Sequence, residues 1–139
     1  MTRYFDSSAL TKLVADEAES ATLRAHLAAS PDAAMTSIVA VPEVGIATSR
    51  ADATVGQRVT GTLGWLRLPG LNVATAPLNP ARAQSAARLG TQLKLRALDA
   101  IHVATAHAAR DTITEVVTYD KAMVAACLEL GLPVVSPGA

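Results

Sequence analysis

Arg3-Tyr4-Phe5-Asp6-Ser7-Ser8-Ala9-Leu10 is the stretch on which the reading of the chain turns. Tyr4 and Phe5 favour a strand. Ser7 and Ser8 are good helix N-caps, and Leu10, Leu13 and Val14 then recur at helical spacing. The stretch therefore reads as a strand that ends in an acid and turns at once into a helix. In an open α/β sheet, ligands bind at the C-terminal ends of the strands. An Asp before a helix is more often a cap than a catalyst. Asp6 gains weight because Glu43, Asp99 and Asp120 can each be placed at the same edge.

Outward from this stretch the chain alternates between strands and helices. A first helix from about Ser8 stops near Asp16-Glu17, and a second carries Leu23 and Leu27 on one face. Ser30-Pro31-Asp32 is a turn, and residues 33–36 form a short strand. Ser37 caps a third helix that carries Glu43 and runs to about Arg50. Pro42 requires that helix to start late or kink, because an interior proline loses a hydrogen bond. Residues 51–68 place Val55, Val59, Leu63 and Leu66 on one stripe, which reads as helix. Gly56, Gly61 and Gly64 weaken that reading. This region is the choice for a docking or dimer surface.

Pro69-Gly70 ends the stripe, residues 71–76 read as strand, and residues 77–80 as loop. Residues 81–94 and 99–110 are helical, 115–119 a strand, and 120–130 the next helix. Gly131 stops that helix in the left-handed position, with Leu132 packing back on its last turn. Residues 133–135 close as a strand. Alternating strands and helices argue for a parallel α/β sheet in one domain, residues 1–139.

Composition narrows the classes. The chain has 139 residues, half of them hydrophobic but only 3% aromatic, so alanine, leucine and valine must build the core. Twelve basic residues balance twelve acidic ones, so no global basic field announces a nucleic acid. A local basic rim would still serve one. Cys127 is the single cysteine, which favours a reducing compartment and a buried core thiol. No signal peptide and no membrane span are evident. The expectation is a soluble, cytoplasmic protein.

If the four acids converge, electrostatics restricts their use. Two unit charges about 4 Å apart repel by roughly 4 kcal/mol at an effective dielectric near 20. Several ionised carboxylates at one point need compensation. A hard divalent cation supplies it, and oxygen ligation suits Mg²⁺ or Mn²⁺. Such an ion assists phosphodiester hydrolysis. Sugar chemistry needs only two carboxylates.

At this point the motifs resemble a known family. Asp6-Ser7-Ser8-Ala9-Leu10, then Val41-Pro42-Glu43-Val44, then Leu98-Asp99-Ala100-Ile101-His102-Val103-Ala104-Thr105-Ala106, then Val117-Thr118-Tyr119-Asp120 are similar, in order, to the motifs of PIN-domain ribonucleases. The resemblance is greatest to VapC-type toxins of bacterial toxin–antitoxin pairs. It implies a central parallel sheet flanked by helices, with the acids at one edge. It implies Mg²⁺- or Mn²⁺-dependent endonuclease activity on RNA, a homodimer and a cognate antitoxin that blocks the site. Asp6, Asp99 and Asp120 would ligate metal directly or through water, and Glu43 would complete the set. Ser8 and Thr118 would lend polar support. Thr118 stands where some relatives carry a further acid, which puts a second metal in question.

Other candidates are weaker. His102, three residues after Asp99, reads as a satisfied core or rim histidine ahead of a group touching substrate. Lys94, Arg96 and Lys121 lie close in sequence to Asp99 or Asp120 and are candidates for RNA phosphates. No zinc set, G-x-S-x-G elbow or Gly-rich phosphate loop is present. Two alternatives stand beside the nuclease: a haloacid-dehalogenase-like phosphatase with Asp6 as nucleophile, and a binding module without catalysis.

Overall fold

The computed structural model describes residues 1–52, 54 and 59–139. Strand β1 (Thr2–Phe5) leads into α1 (Ser7–Val14) and α2 (Ser20–Ala28). Strand β2 (Ala33–Ser37) precedes α3 (Ala40–Ala51). Three strands follow, β3 (Thr60–Thr62), β4 (Trp65–Leu68) and β5 (Leu71–Ala76). The remainder is α4 (Pro80–Leu93), α5 (Ala97–Ala108), β6 (Ile113–Val117), α6 (Lys121–Glu129) and β7 (Val134–Val135). The strand order is β3-β4-β5-β2-β1-β6-β7. From β5 to β7 all pairings are parallel, and β3-β4 and β4-β5 are antiparallel.

β1 lies inside the sheet, so its side chains must suit two interiors. Successive strand residues point to opposite faces. Tyr4 packs with Val103, Val116, Met123 and Cys127 on one face. Phe5 packs with Leu10, Leu23, Val44, Leu66 and Val117 on the other. A strand buried on both sides reads as a continuous apolar run, as Tyr4-Phe5 does. Cys127 is the buried core thiol expected from its sequence context, and burial pushes its pKa up to about 12.

The topology sets the position of the site. β1 has β2 on one side and β6 on the other, so the connections leaving the C-terminal ends of these strands diverge there. A crevice opens at such a switch point. Asp6 follows β1 directly, Thr118 and Asp120 follow β6, and Glu43 lies in the first turn of α3 after β2.

Helix ends follow local chemistry, with some shifts from the sequence reading. Asp6, rather than Ser7 or Ser8, is the N-cap of α1, its side chain accepting from the Ala9 N–H. α1 ends at Val14, short of Asp16-Glu17. α3 starts late, at Ala40, so Pro42 falls in the first turn, where no intrahelical donor is lost. α5 begins at Ala97, which puts Asp99 in its first turn rather than at its opening. After α6, the Leu132 N–H donates to the Cys127 carbonyl and the Gly131 N–H to that of Leu128. Gly131 has φ +71 in this Schellman ending.

The helix read across residues 51–68 is a correction. Ala51 ends α3, and residues 60–62 and 65–68 are strands. Val55 and Gly56 lie outside the described residues. Leu63 is fully exposed at the hairpin tip while Leu66 is buried, so the apparent helical stripe does not share a face. The true period is two: Trp65 and Arg67 outward, Leu66 and Leu68 inward. Gly64 and Gly70, both at φ +77, form the tight turns that fold β3, β4 and β5 into a meander.

Lys94 is the one non-glycine residue among those described with positive φ, at 56° after α4. Its neighbour Leu95 donates its N–H to the Gly90 carbonyl, so this too is a left-handed helix stop. A Cβ in this region costs energy that glycine avoids. Lys94→Gly should therefore raise stability by up to about 1 kcal/mol, read as a higher denaturation midpoint. No helix among the described residues is long and apolar enough to cross a membrane.

Candidate active site

Asp6 directly follows β1 and is only 3% exposed. Its Oδ1 accepts from Ser8 Oγ at 2.7 Å and from the Ala9 N–H at 3.1 Å. Its Oδ2 accepts from Thr118 Oγ1 at 2.6 Å. Burial raises the Asp6 pKa, and the Thr118 and Ser8 hydroxyls oppose that rise by bonding the charged form. Ser8 and Thr118 thus both donate to the Asp6 carboxylate, and each also serves the backbone. Ser8 Oγ accepts from the Tyr119 N–H at 3.0 Å, and Thr118 Oγ1 from the Asp120 N–H at 3.1 Å.

Thr118→Val keeps the shape and removes the donor to Asp6. Hydrogen bonds to charged groups contribute roughly 1.5–3 kcal/mol. The variant should lose about that much stability in chemical denaturation at neutral pH, with Thr118→Ser restoring most of it.

Glu43 is held from two elements. Ser7 Oγ donates to its Oε2 at 3.1 Å, and His102 Nε2 lies 2.8 Å from its Oε1. His102, 1% exposed, also has its Nδ1 2.7 Å from the Tyr4 hydroxyl. The Tyr4 pKa is raised well above the usual value by burial and then by the Asp6 charge, so the phenol keeps its proton as a donor. The sequence reading put His102 in the core or rim. It did not identify the bonds from Ser7 and His102 to Glu43, because nothing local pairs residues 36 or 59 positions apart.

Asp99 and Asp120 are the less encumbered acids. Asp120 caps α6, its Oδ1 accepting from the Met123 N–H at 2.9 Å. The Asp99 carboxylate accepts no hydrogen bond from the described residues. Its pKa is raised, first by burial and then by the charge of Asp120, with Asp6 and Glu43 adding to the rise and His102 opposing it, so the four acids and His102 share one field. Among the described residues, no lysine or arginine forms an ion pair with any of the four.

The acids do not open onto a single cavity. Glu43 and Asp120 line one depression, together with Ser7, Lys12 and Arg50. Asp99 and Asp120 line a second, with Lys94, Arg96 and Lys121. Asp120 belongs to both, and Asp6 lines neither. Lys12 stands over the Tyr119 ring, 4.8 Å from its centre, and bonds Glu19 at 2.7 Å.

The donor set suits a hard cation. Counting lone pairs, both Asp99 oxygens, Asp120 Oδ2 and part of Asp6 Oδ2 remain open. Among the described residues no three of His, Cys, Asp and Glu form a ready-made cage. Mg²⁺ usually keeps several waters and takes one or two carboxylates, so such a cage is not required. A phosphatase nucleophile fits less well, because Asp6 is buried with both oxygens engaged.

Comparison with known proteins agrees with this geometry. Residues 3–129 match the PIN domain family. The chain is 36% identical over 140 residues to Ribonuclease VapC47 of Mycobacterium tuberculosis, covering 98% of this chain and 97% of that protein. The crystal structure of Mycobacterium tuberculosis VapC20, described as a sarcin–ricin loop cleaving toxin, superposes with TM-score 0.71 at 17% identity, over 97% of this chain and 99% of that one. A toxin–antitoxin complex from Klebsiella pneumoniae gives TM-score 0.60 at 21% identity, over 97% of both chains. The four motifs, the sheet with its acids at one edge and the 36% identity over nearly the whole chain agree: the chain belongs to the PIN-domain family, among the VapC-type ribonucleases.

Proposed function

We propose that this VapC-type ribonuclease, the toxin of a toxin–antitoxin pair, hydrolyses RNA phosphodiester bonds at Asp6, Glu43, Asp99 and Asp120 with the help of Mg²⁺ or Mn²⁺. The observation that supports this reading is the gathering of Asp99 with Asp120, Asp6 and Glu43 in one field. Burial and then these charges raise the Asp99 pKa against the opposing influence of His102, and no lysine or arginine among the described residues forms an ion pair with any of the four. Asp99 and Asp120 would hold the ion, and Asp6 would anchor it through the open side of Oδ2. The ion, when bound, supplies positive charge to the phosphoryl oxygens and makes water more acidic. Glu43, held at both oxygens, faces the same depression as Asp120 and would take the proton released by the attacking water. Lys94, Arg96 and Lys121 on one side, with Lys12 and Arg50 on the other, would seat flanking phosphates.

The protein would act in the cytoplasm, as a homodimer, under the control of a small antitoxin. The uncompensated acids favour an inhibitor that places a basic side chain, best an arginine, among them. Leu63 and Trp65, exposed on the β3–β4 hairpin, suit a docking surface. The test is incubation of the purified chain with cellular RNA, with and without Mg²⁺, followed by sequencing of the new ends. Discrete cut sites that vanish on chelation are expected. RNA left intact in Mg²⁺ and in Mn²⁺ would overturn the reading.

A further inference from the structure

His102 carries more than the packing of a core histidine requires. A residue kept only to fill space between β1 and α5 could be apolar, and pairing a carboxylate with a buried ring carries a desolvation cost. Here the ring instead joins the core to the site. On one side lies the Tyr4 hydroxyl, fully buried on the interior strand β1, 2.7 Å from Nδ1. On the other lies Glu43 Oε1, 2.8 Å from Nε2. The remaining oxygen of Glu43 accepts from Ser7 Oγ at 3.1 Å.

The chemistry of these partners gives the row a direction. An ionised carboxylate only accepts, so Nε2 carries a proton. In the neutral ring Nδ1 is then the acceptor, and the Tyr4 O–H donates to it. The Glu43 carboxylate thus fixes the tautomer, and the Tyr4 O–H, which can donate or accept, favours it by donating to Nδ1. We infer that Tyr4 and His102 are positioning residues that fix the Glu43 carboxylate for RNA cleavage, through the Nε2–H tautomer. Ser7, one residue beyond Asp6, holds the second oxygen from α1. Glu43 is therefore set by α1 and α5 together, and one lone pair on each oxygen stays open.

This inference rests on the nuclease reading of the acids, and its test separates the two. The side-chain amide nitrogen of glutamine falls near the position of histidine Nε2, and that of asparagine near Nδ1. His102→Gln should keep a donor for Glu43, while His102→Asn should keep only a partner for Tyr4. Misplacing a catalytic group by about 1 Å costs on the order of 100-fold in rate. His102→Asn should accordingly lose roughly 10- to 100-fold in kcat with KM for RNA unchanged. His102→Gln should stay near wild type.

Two spectroscopic readings need neither RNA nor metal. Ring ¹⁵N shifts should place the proton on Nε2 in the wild type and show it shared with Nδ1 in Tyr4→Phe. The Glu43 carboxyl ¹³C resonance should move in His102→Asn and hold in His102→Gln. A wild-type proton on Nδ1, equal kcat losses in the Asn and Gln variants, or wild-type kcat in His102→Asn would each overturn the inference. If His102→Asn does not fold, Tyr4→Phe decides: an unchanged tautomer and unchanged kcat would overturn it. Undiminished cleavage by Asp99→Asn would instead overturn the nuclease reading, and the spectra would still decide the tautomer.

Discussion

Asp99→Asn should leave the metal-free protein at least as stable as the wild type while cutting RNA cleavage by about two to three orders of magnitude. The two effects have one origin. Burial and three neighbouring negative charges, opposed in part by His102, raise the Asp99 pKa, so its charged form is disfavoured in the folded protein. Asparagine removes the charge, keeps the shape, and gives up no hydrogen bond formed within the described residues. The same charge is what would draw a divalent ion to the edge. Loss of an ion that stabilises the transition state by several kcal/mol corresponds to tenfold for each 1.36 kcal/mol.

Asp6 and Asp99 both have raised pKa values, so their effect on stability has one sign. The folded protein holds protons that the unfolded chain releases, starting from the usual carboxylate value of 3.8. Stability from these groups is full below that value and is lost as pH rises through the raised pKa values. Thermal melts of the metal-free protein should show this decline, and Asp99→Asn should flatten it. Mg²⁺ should raise the wild-type melting temperature at neutral pH and raise that of the variant less. A variant less stable than wild type but cleaving normally would leave Asp99 with a purely structural role.

The second large effect concerns the other end of β1. Arg3, 5% exposed, donates from Nε to Glu115 Oε1 at 2.7 Å and from Nη1 to the Ser30 carbonyl at 2.7 Å. His26 Nε2 stands 2.7 Å from the same Glu115 oxygen. Removing one member of a buried ion pair leaves the other charge uncompensated, at a cost of roughly 3–5 kcal/mol. Arg3→Met should lose about 3 kcal/mol in urea denaturation. Arg3→Met with Glu115→Leu should recover much of the loss, because a buried pair replaced by apolar groups is often neutral. Well below its melting point the single variant should cleave RNA normally. A loss under 1 kcal/mol would show that water or His26 compensates Glu115.

The parts legible in the sequence were those with local causes. Tyr4-Phe5 before Asp6 gave away a buried strand and its exit. Gly131 marked a helix stop because only a left-handed residue closes that hydrogen-bond pattern. Asp6, Glu43, Asp99 and Asp120 were singled out through motif order, Glu43 within Val41-Pro42-Glu43-Val44. Residues 60–68 misled because Leu63 and Leu66 fall at a spacing that helix and hairpin can share. The glycines at 61 and 64 were the better guide. The row from Tyr4 through His102 to Glu43 was not legible, since Tyr4 and His102 are 98 positions apart. Nor could the sequence show that Asp6 is buried and lines neither depression.

The bond from Thr118 to Asp6 spans 112 positions, and β6 docks on β1 across a similar separation. A chain leaves the ribosome N-terminus first, and pairings this distant form late. While residues 2–76 emerge, the first acid has neither its threonine donor nor the neighbouring strand that supplies Asp120. A growing chain therefore carries no assembled cutting edge beside the ribosomal RNA that is making it. Competence arrives only once residues 113–120 have emerged and β6 has docked on β1.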